Sequence, residues 1–438
     1  MNNIIEAQNN GSHHHLENSS HVPLLHHPDI DQIRHFQNTG EFQNGLRNLE
    51  TARLGQALTI IAGHFSTAWS NVKLIEHLKS QGFPQDQLEN AQQQVERSGF
   101  RNRFISEDLL NSPIEDVVIR TALINAHLLI ELMKDRKWDS IDAYIDASSI
   151  MPLNINELSL RLAGLDPEKI EKKSYRMACA GWSAGFIGSL EQQNFGKRIV
   201  IASSEPLSSF IDTRHFQDLS GLMIPAIFGD RYLAAAVNPQ AFNPLYRSVN
   251  IFDDEGVIKI HTEYDFYSLE HDKTSIPPYY RFGENGQFIL KHTPDYAVLS
   301  LTTPENNSPA SMDGINTAFV FGNNTTDDLM QMAVALNKPD LYRNGGIKNK
   351  IIHPASLGVV SRIAKKLKIA GYLDQRELPF TPTQFGDCNT SSASTPTVIQ
   401  RQIQLGNIDP DYPLIIASPG VGAAIVTACL EIDKNYLE

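Results

Sequence analysis

Hydrophobic and polar positions alternate in blocks along most of the chain, and the block lengths suit strands and helices. Ala57 to Ala62 (ALTIIA) is short, continuous and apolar, as a buried strand requires, while 71–80 and 84–97 read as helices. Ser112-Pro113-Ile114-Glu115 has the form of a capping box with proline at the first helical position. The helix that it opens, to about Lys134, is apolar on one face. Ile141–Met151 and Arg198–Ser203 read as strands. Between them, Ser174–Leu190 (SYRMACAGWSAGFIGSL) passes from an apolar lead-in through small residues into a helix. Within 221–237, a glycine turn precedes the small apolar run of IFGDRYLAAAV. Tyr296–Thr303 resumes strand character, Thr326–Asn337 is helical, and Lys348–Ile352 is a strand leading into His353. Beyond Pro354, Leu357, Val360, Ala364 and Leu367 share one helical face, with Arg362, Lys365, Lys366 and Lys368 mostly on the other. A polar loop, Gly386 to Ser394, feeds a helix from about Pro396 to Leu405. A strand at Leu414–Ala417, a Pro-Gly-Val-Gly loop and an apolar helix close the chain. Strands alternating with helices in this way predict an α/β architecture.

Two stretches break the pattern. Residues 1–50 are rich in Asn, Gln, Ser and His and read as a flexible or loosely docked N-terminal extension. His13, His14 and His15 have no carboxylate or cysteine at useful spacing, so a solvated tail is expected there and no metal site. Residues 238–292 are irregular and polar, with Pro277-Pro278-Tyr279-Tyr280, and are expected to be an insertion or cap. That leaves 51–237 and 293–438 as the two structured portions. Tyr412–Leu430 carries no charge, but Pro413, Pro419, Gly420 and Gly422 interrupt it, so no membrane span is expected.

Composition narrows the class further. A chain of 438 residues holds two or three ordinary domains, or two halves sharing one large core. With 41% hydrophobic and 20% charged residues it is globular, not disordered. A net charge of −13 argues against a general nucleic-acid binder. Three cysteines make no disulfide framework and suit a reducing, cytoplasmic setting.

Three residues with chemical potential fall at equivalent places, in loops that leave a strand and enter a helix: Cys179, His353 and Asn389. A thiol just before a helix start feels the positive end of the peptide dipoles, which favours the reactive thiolate. The small neighbours Ala178, Ala180 and Gly181 would let a substrate approach the backbone. Singly, each residue also has an ordinary reading, as a buried structural cysteine, a core or surface histidine and a helix cap.

Together, over roughly residues 56–438, they resemble the thiolase-like condensing enzymes, in the branch of ketoacyl-acyl-carrier-protein synthase III and chalcone synthase. The resemblance rests on ACAG at 178–181, Ser204-Glu205-Pro206-Leu207-Ser208, FGDRYLAAA, HPAS at 353–356, CNTSSAS at 388–394 and SPGVG at 418–422. Ser98-Gly99-Phe100-Arg101 also resembles an early family segment. The departures are specific. Arg231 stands where the family has glycine after FGD, the glycine loop reads Pro419-Gly420-Val421-Gly422, and Gln93 falls near the tryptophan that stacks on coenzyme A.

The resemblance implies a duplicated five-layer α-β-α-β-α fold, with the cysteine in the 51–237 half, the histidine and asparagine in the 293–438 half, and a homodimer. It implies that Cys179 accepts an acyl group from a thioester, and that His353 and Asn389 stabilise the enolate left when a malonyl-type thioester loses carbon dioxide. The backbone N–H groups of Cys179 and Gly420 would form the oxyanion hole. No metal or redox cofactor is implied. Acyl-coenzyme A or acyl carrier protein would deliver the substrate, and Arg97, Arg101 and Arg103 would form a basic entrance. Cys388 is expected to be incidental and Cys429 to lie in the core.

Alternatives remain within the same stretch. Gly181-Trp182-Ser183-Ala184-Gly185 fits the nucleophile elbow of a serine hydrolase, with Ser183 as nucleophile. An acyltransferase of the same fold without condensation and an inactive partner in a heterodimer are the others.

Overall fold

The computed structural model describes residues 30–110, 112, 114–149, 155–175, 177–210, 226–252, 258–262, 280–282, 288–291, 297–300, 311–312, 314–342, 349–374, 388–420 and 424–437. Its first large sheet is built from β1 (Glu50–Leu54), β2 (Leu58–Gly63), β5 (Ala143–Asp146), β6 (Glu171–Ser174), β7 (Ile199–Glu205) and β8 (Arg231–Val237). A short hairpin of β3 (Thr67–Ser70) and β4 (Asn102–Ile105) stands beside it. The second large sheet contains β9 (Phe242–Phe252), β10 (Ile258–Thr262), β15 (Lys350–Ile352), β16 (Leu414–Gly420) and β17 (Ala424–Ile432). Four short strands, β11 (Tyr280–Phe282), β12 (Phe288–Lys291), β13 (Ala297–Ser300) and β14 (Ser311–Met312), form a separate antiparallel sheet.

The two large sheets repeat one topology. The first runs β1-β2-β8-β7-β5-β6 and the second β10-β9-β17-β16-β15. In each, two antiparallel pairings precede a parallel one: β2 with β8, β8 with β7 and β7 with β5, then β9 with β17, β17 with β16 and β16 with β15. The helix Gly181–Ser189 lies between them, touching β5 and β7 on one side and β16 and β17 on the other. All nine of its residues are buried, which is why its sequence is apolar or small all round. Helix Ser394–Gln404 packs against it and against β1, β2 and β15. Helix Ile114–Arg136 packs on β2, β7 and β8, and helix Gly314–Ala335 packs on β16 and β17. The result is the duplicated α-β-α-β-α arrangement expected from the sequence.

Several expectations need correction. Residues 30–50 are not an extension: helices Ile30–Gln37 and Gly40–Arg47 bury Ile33, Phe36 and Phe42 in the core. The Glu41 carboxylate there accepts from Ser106 Oγ at 2.6 Å and from the fully buried Arg120 at 3.2 Å. Residues 1–29, with His13, His14 and His15, lie outside the described residues.

The start of the expected insertion at 238–292 is instead a central strand. β9 pairs with β17 along nine registered positions and with β10 on its other edge. The segment expected to close the chain as an apolar helix is β17. Its near-continuous run AIVTACLEI is rich in β-branched residues and buried throughout except Glu431, which a strand between two neighbours demands. The predicted strand at Ile141–Met151 is only β5, because Asp146 Oδ1 accepts from Ser148 N and Oγ and turns the chain. The strand expected at Tyr296–Thr303 is β13, in the small sheet.

Candidate active site

The cysteine sits on a tight turn. Ala178 has φ +45°, the left-handed region that non-glycine residues avoid, and the 3₁₀ turn Ala178–Ala180 leads directly into helix Gly181–Ser189. The turn fits only because its neighbours are small. A Cβ on Gly181 would stand 2.8 Å from the carbonyl oxygens of Ala147 and Tyr175, and one on Gly420 would stand 2.4 Å from Met177 O and 3.1 Å from Ala180 N. Gly420, at the end of β16, therefore presses its backbone against the Cys179 turn.

His353 follows β15. Its N–H donates to Ala417 O at 2.9 Å, Ala355 N–H donates to His353 O at 2.8 Å, and Ser356 caps helix Leu357–Ile369 through Val359 N–H. The ring is fully buried, and neither nitrogen has a hydrogen-bond partner among the described residues. Burial pushes its pKa down to about 3, so the imidazole is neutral near pH 7.

Asn389 links the halves. Its backbone bridges to Phe228, with Asn389 N–H donating to Ile227 O at 2.9 Å and Gly229 N–H donating to Asn389 O at 3.1 Å. Its side-chain oxygen accepts from Ser391 N–H at 2.8 Å and Ser394 Oγ at 3.2 Å. Its amide nitrogen donates to Ala355 O at 3.2 Å, which holds the His353 loop and leaves one amide hydrogen for another acceptor. The three turns carrying Cys179, His353 and Asn389 thus meet where the two halves join, and each of these side chains is at most 3% exposed.

The structure adds residues to which the sequence reading gave no role. Ser391 Oγ lies 3.6 Å from Cys179 Sγ and 2.9 Å from Ser149 Oγ. Ser149 donates from both N–H and Oγ to Glu205, and Ser392 Oγ also donates to Glu205. Glu205 is fully buried, and burial pushes its pKa up to about 7 against the pull of those donors. Ser204-Glu205 and Ser391-Ser392 were visible as motif letters, but nothing local in the sequence says that they touch.

The remaining candidates lie elsewhere. Arg97 and Arg101 are exposed at the end of helix Gln85–Ser98, outside the buried cluster. Arg103 is no part of a basic entrance: it is fully buried and donates to Asn71 Oδ1 at 2.8 Å and Ala226 O at 3.1 Å. Cys429 is a core residue of β17, as expected. Ser183 lies inside the helix, not on the turn before it, and its Oγ is 2.6 Å from Ser418 Oγ. That is the wrong place for the nucleophile of an elbow, which must stand on the strand-to-helix turn. Arg231, the departure after FGD, is buried and structural. It contacts His64 and donates to Glu50 Oε2 at 3.1 Å and Gln400 Oε1 at 3.0 Å, tying β8 to helix Ser394–Gln404. Beside it, a cavity of about 230 Å³ is lined by His64, Phe104, Pro354, Thr390 and Gln400, next to the His353 and Asn389 turns. Among the described residues, no group of three or more His, Cys, Asp or Glu could hold a metal ion, and no helix is long and apolar enough to cross a membrane.

No family model and no curated protein matches the chain in sequence. Solved structures do match it in fold. The 3-oxoacyl-(acyl carrier protein) synthase III of Pseudomonas aeruginosa PAO1 superposes with a TM-score of 0.56 at 15% identity, covering 88% of this chain and 98% of the synthase. The germicidin synthase of Streptomyces coelicolor, a type III polyketide synthase, gives 0.59 at 11% identity, covering 88% and 99%. The 3-oxoacyl-[acyl-carrier-protein] synthase III of Aquifex aeolicus VF5 gives 0.54 at 14% identity, covering 87% and 100%. The chain has the thiolase-like fold of synthase III and type III polyketide synthases.

Proposed function

We propose that this chain is a condensing enzyme of the β-ketoacyl synthase III kind, an acyltransferase that loads Cys179 and then extends the acyl group. The observation that carries the reading is the convergence of Cys179, His353 and Asn389 on buried turns at the junction of the two halves. The Cys179 thiolate attacks the carbonyl carbon of an acyl thioester, and the N–H groups of Cys179 and Gly420 hold the resulting oxyanion. Such a donor is worth about 3–4 kcal/mol. Collapse expels the carrier thiolate, which takes up a proton, and leaves the acyl group on sulfur.

A malonyl thioester then loses carbon dioxide, and the electron pair of the broken C–C bond passes into an enolate. The neutral His353 ring offers one N–H and Asn389 the second hydrogen of its amide, the two donors that the enolate oxygen needs. The enolate carbon attacks the acyl-Cys179 carbonyl, a C–C bond forms, and the Cys179 sulfur leaves. Acyl and malonyl thioesters are the substrates, and the reaction as written draws on no metal or redox cofactor. An acidic acyl carrier protein suits the exposed cations Arg97 and Arg101. The outer edge of β6 ends the first sheet, so a second copy could pair there and make the homodimer. The three cysteines, none of them in a disulfide, suit the cytoplasm.

The test is intact-protein and peptide mass spectrometry after incubation with a panel of acyl thioesters, each offered on coenzyme A and on carrier protein. Cys179→Ala is expected to abolish acylation, and Ser183→Ala to leave it largely intact. A label on Ser183 would reject condensation in favour of a hydrolase. Acylation of Cys179 without carbon dioxide release from malonyl thioesters would reduce the protein to an acyltransferase.

A further inference from the structure

A second thiol stands beside the site with no part in the chemistry above. Cys388 directly precedes Asn389, is 4% exposed and lines the cavity of about 230 Å³ next to Arg231. Phe104, Thr390 and Ser394 line the same cavity, and so do the exposed side chains of Arg401 and Gln404, which lead it out to solvent. The other flank of the sulfur is closed. A Cβ on Gly229 would stand 2.5 Å from Cys388 Sγ and 2.8 Å from Phe104 N, so the FGD turn already packs against it. Any group added to this sulfur must therefore extend into the cavity.

The thiol faces a cation in need of a counter-charge. Arg103 is fully buried, and burial lowers its pKa only to about 10, so it stays charged near pH 7. Its Nη2 donates to Asn71 Oδ1 at 2.8 Å and to Ala226 O at 3.1 Å, both neutral acceptors. Among the described residues, its Nε and Nη1 have no hydrogen-bond partner and no carboxylate pairs with it. The ionisable group whose charge it does feel is Cys388. A buried cation without a carboxylate favours the anion of the thiol beside it. The thiolate is the form that attacks oxidants.

We propose that Cys388 is a modification site for small hydroperoxides, and that its sulfenic acid stops extension while leaving the loading of Cys179 intact. The Cys388 thiolate attacks one oxygen of the peroxide, an S–O bond forms and the O–O bond breaks. Sulfur gives up two electrons to the peroxide, and the departing hydroxide takes the proton that the thiol released, leaving water. Thiol reductants reverse the step: one thiol displaces water from the sulfenic acid, and a second releases Cys388 from the mixed disulfide. The added oxygen stands in the cavity with Ser394, whose hydroxyl donates to Asn389 Oδ1 at 3.2 Å and lies 3.1 Å from Thr390 Oγ1. As a sulfenate it draws the Ser394 hydrogen to itself, and Asn389 loses a bond that orients its amide toward the enolate. The Cys179 turn and Gly420 take no part in this exchange, so loading continues. The effect on extension rests on the proposed condensation; the oxidation of Cys388 does not.

The first arm of the experiment uses full-length Cys179→Ala protein without substrate. Hydrogen peroxide is added together with dimedone, which traps sulfenic acids, and peptide mass spectrometry locates the label. It is expected on Cys388 and not on Cys429, which lies in the core of β17. In the same background, Arg103→Gln should slow labelling by about tenfold or more, and Arg103→Lys, which keeps the charge, should restore it. Near-UV circular dichroism confirms that each variant is folded. No label on Cys388, or equal rates with and without the Arg103 charge, overturns the site. In the second arm, wild-type protein is acylated on Cys179, which the thioester protects, then treated with peroxide and given a malonyl thioester. Carbon dioxide release should fall by about tenfold or more, and should return after dithiothreitol and reloading. Cys388→Ala should release carbon dioxide equally with and without peroxide. Undiminished release from protein oxidised at Cys388 overturns the switch. Failure of acyl thioesters to load Cys179 would instead reject the condensation alone, since the label on Cys388 is read without them.

Discussion

Ala178 and Ser391 are the same residue of a repeated turn. Their φ angles are +45° and +51°, and the residues before them, Met177 and Thr390, share φ, ψ of −115°, 36° and −110°, 34°. Each turn is followed by a helix, buried throughout after the first and over most of its length after the second, and the two turns face each other across the junction of the halves, which brings Cys179 Sγ to Ser391 Oγ. Duplication thus supplies two copies of one strained turn, the first carrying the thiol and the second the hydroxyl that it contacts.

The strain is measurable. A left-handed non-glycine residue costs about 1–2 kcal/mol, and glycine returns roughly 0.5–1 kcal/mol of that as chain entropy. Ala178→Gly should therefore stabilise the protein by up to about 1 kcal/mol. Ala178→Val, β-branched and buried, should cost about 2 kcal/mol or more. Urea midpoints at constant slope check both.

Gly420→Ala should damage loading more than folding. The added Cβ meets backbone, Met177 O at 2.4 Å and Ala180 N at 3.1 Å, so the Cys179 turn and the end of β16 must move apart. A displacement near 1 Å at a reacting group costs about a hundredfold in rate. The acylation rate of Cys179 should fall by about that factor, against a stability loss of about 1–3 kcal/mol. Equal acylation rates for variant and wild type would remove Gly420 from the oxyanion hole.

His353→Ala and Asn389→Asp should separate loading from extension. Aspartate keeps an oxygen for Ser391 N–H and Ser394 Oγ but offers no amide hydrogen to Ala355 O or to an enolate. Acyl-Cys179 should still be detected in both variants while carbon dioxide release from a malonyl thioester falls by orders of magnitude. Loss of loading to the same degree would mean that the pair serves the thiol instead.

Stability should depend on pH in two opposed ways. Burial raises Glu205 and Asp230 to about 7, above their unfolded values near 4.5 and 3.8, so their contribution is complete below the unfolded values and is lost as pH rises through about 7. His353, lowered to about 3, and His127, lowered to about 4, work the other way: their contribution is present above the unfolded value near 6.5 and is lost as pH falls toward those lowered values. Glu205→Gln should flatten the decline in stability between pH 5 and 8 and leave the acid limb unchanged. Chemical denaturation at intervals across pH 3–8 reads both limbs.

The sequence by itself determined the local events. Cys179, His353 and Asn389 were legible as loop residues at helix starts because glycine, proline and small polar residues punctuate the chain there, and helix Leu357–Ile369 was legible from its faces. β17 was not, because a short apolar run after a glycine loop suits a buried strand or a buried helix equally. Only its place between β16 and β9 decides which. β9 was hidden in the same way, since its polar-looking positions become strand only when a partner supplies the ladder. The Ser391–Ser149–Glu205 line lay furthest from view. Ser149 is 56 positions from Glu205 and 242 from Ser391, and the three meet only because the sheets of two duplicated halves bring their turns face to face. Contacts within a turn follow from neighbouring residues, whereas contacts between turns follow from packing, which no single stretch of the chain encodes.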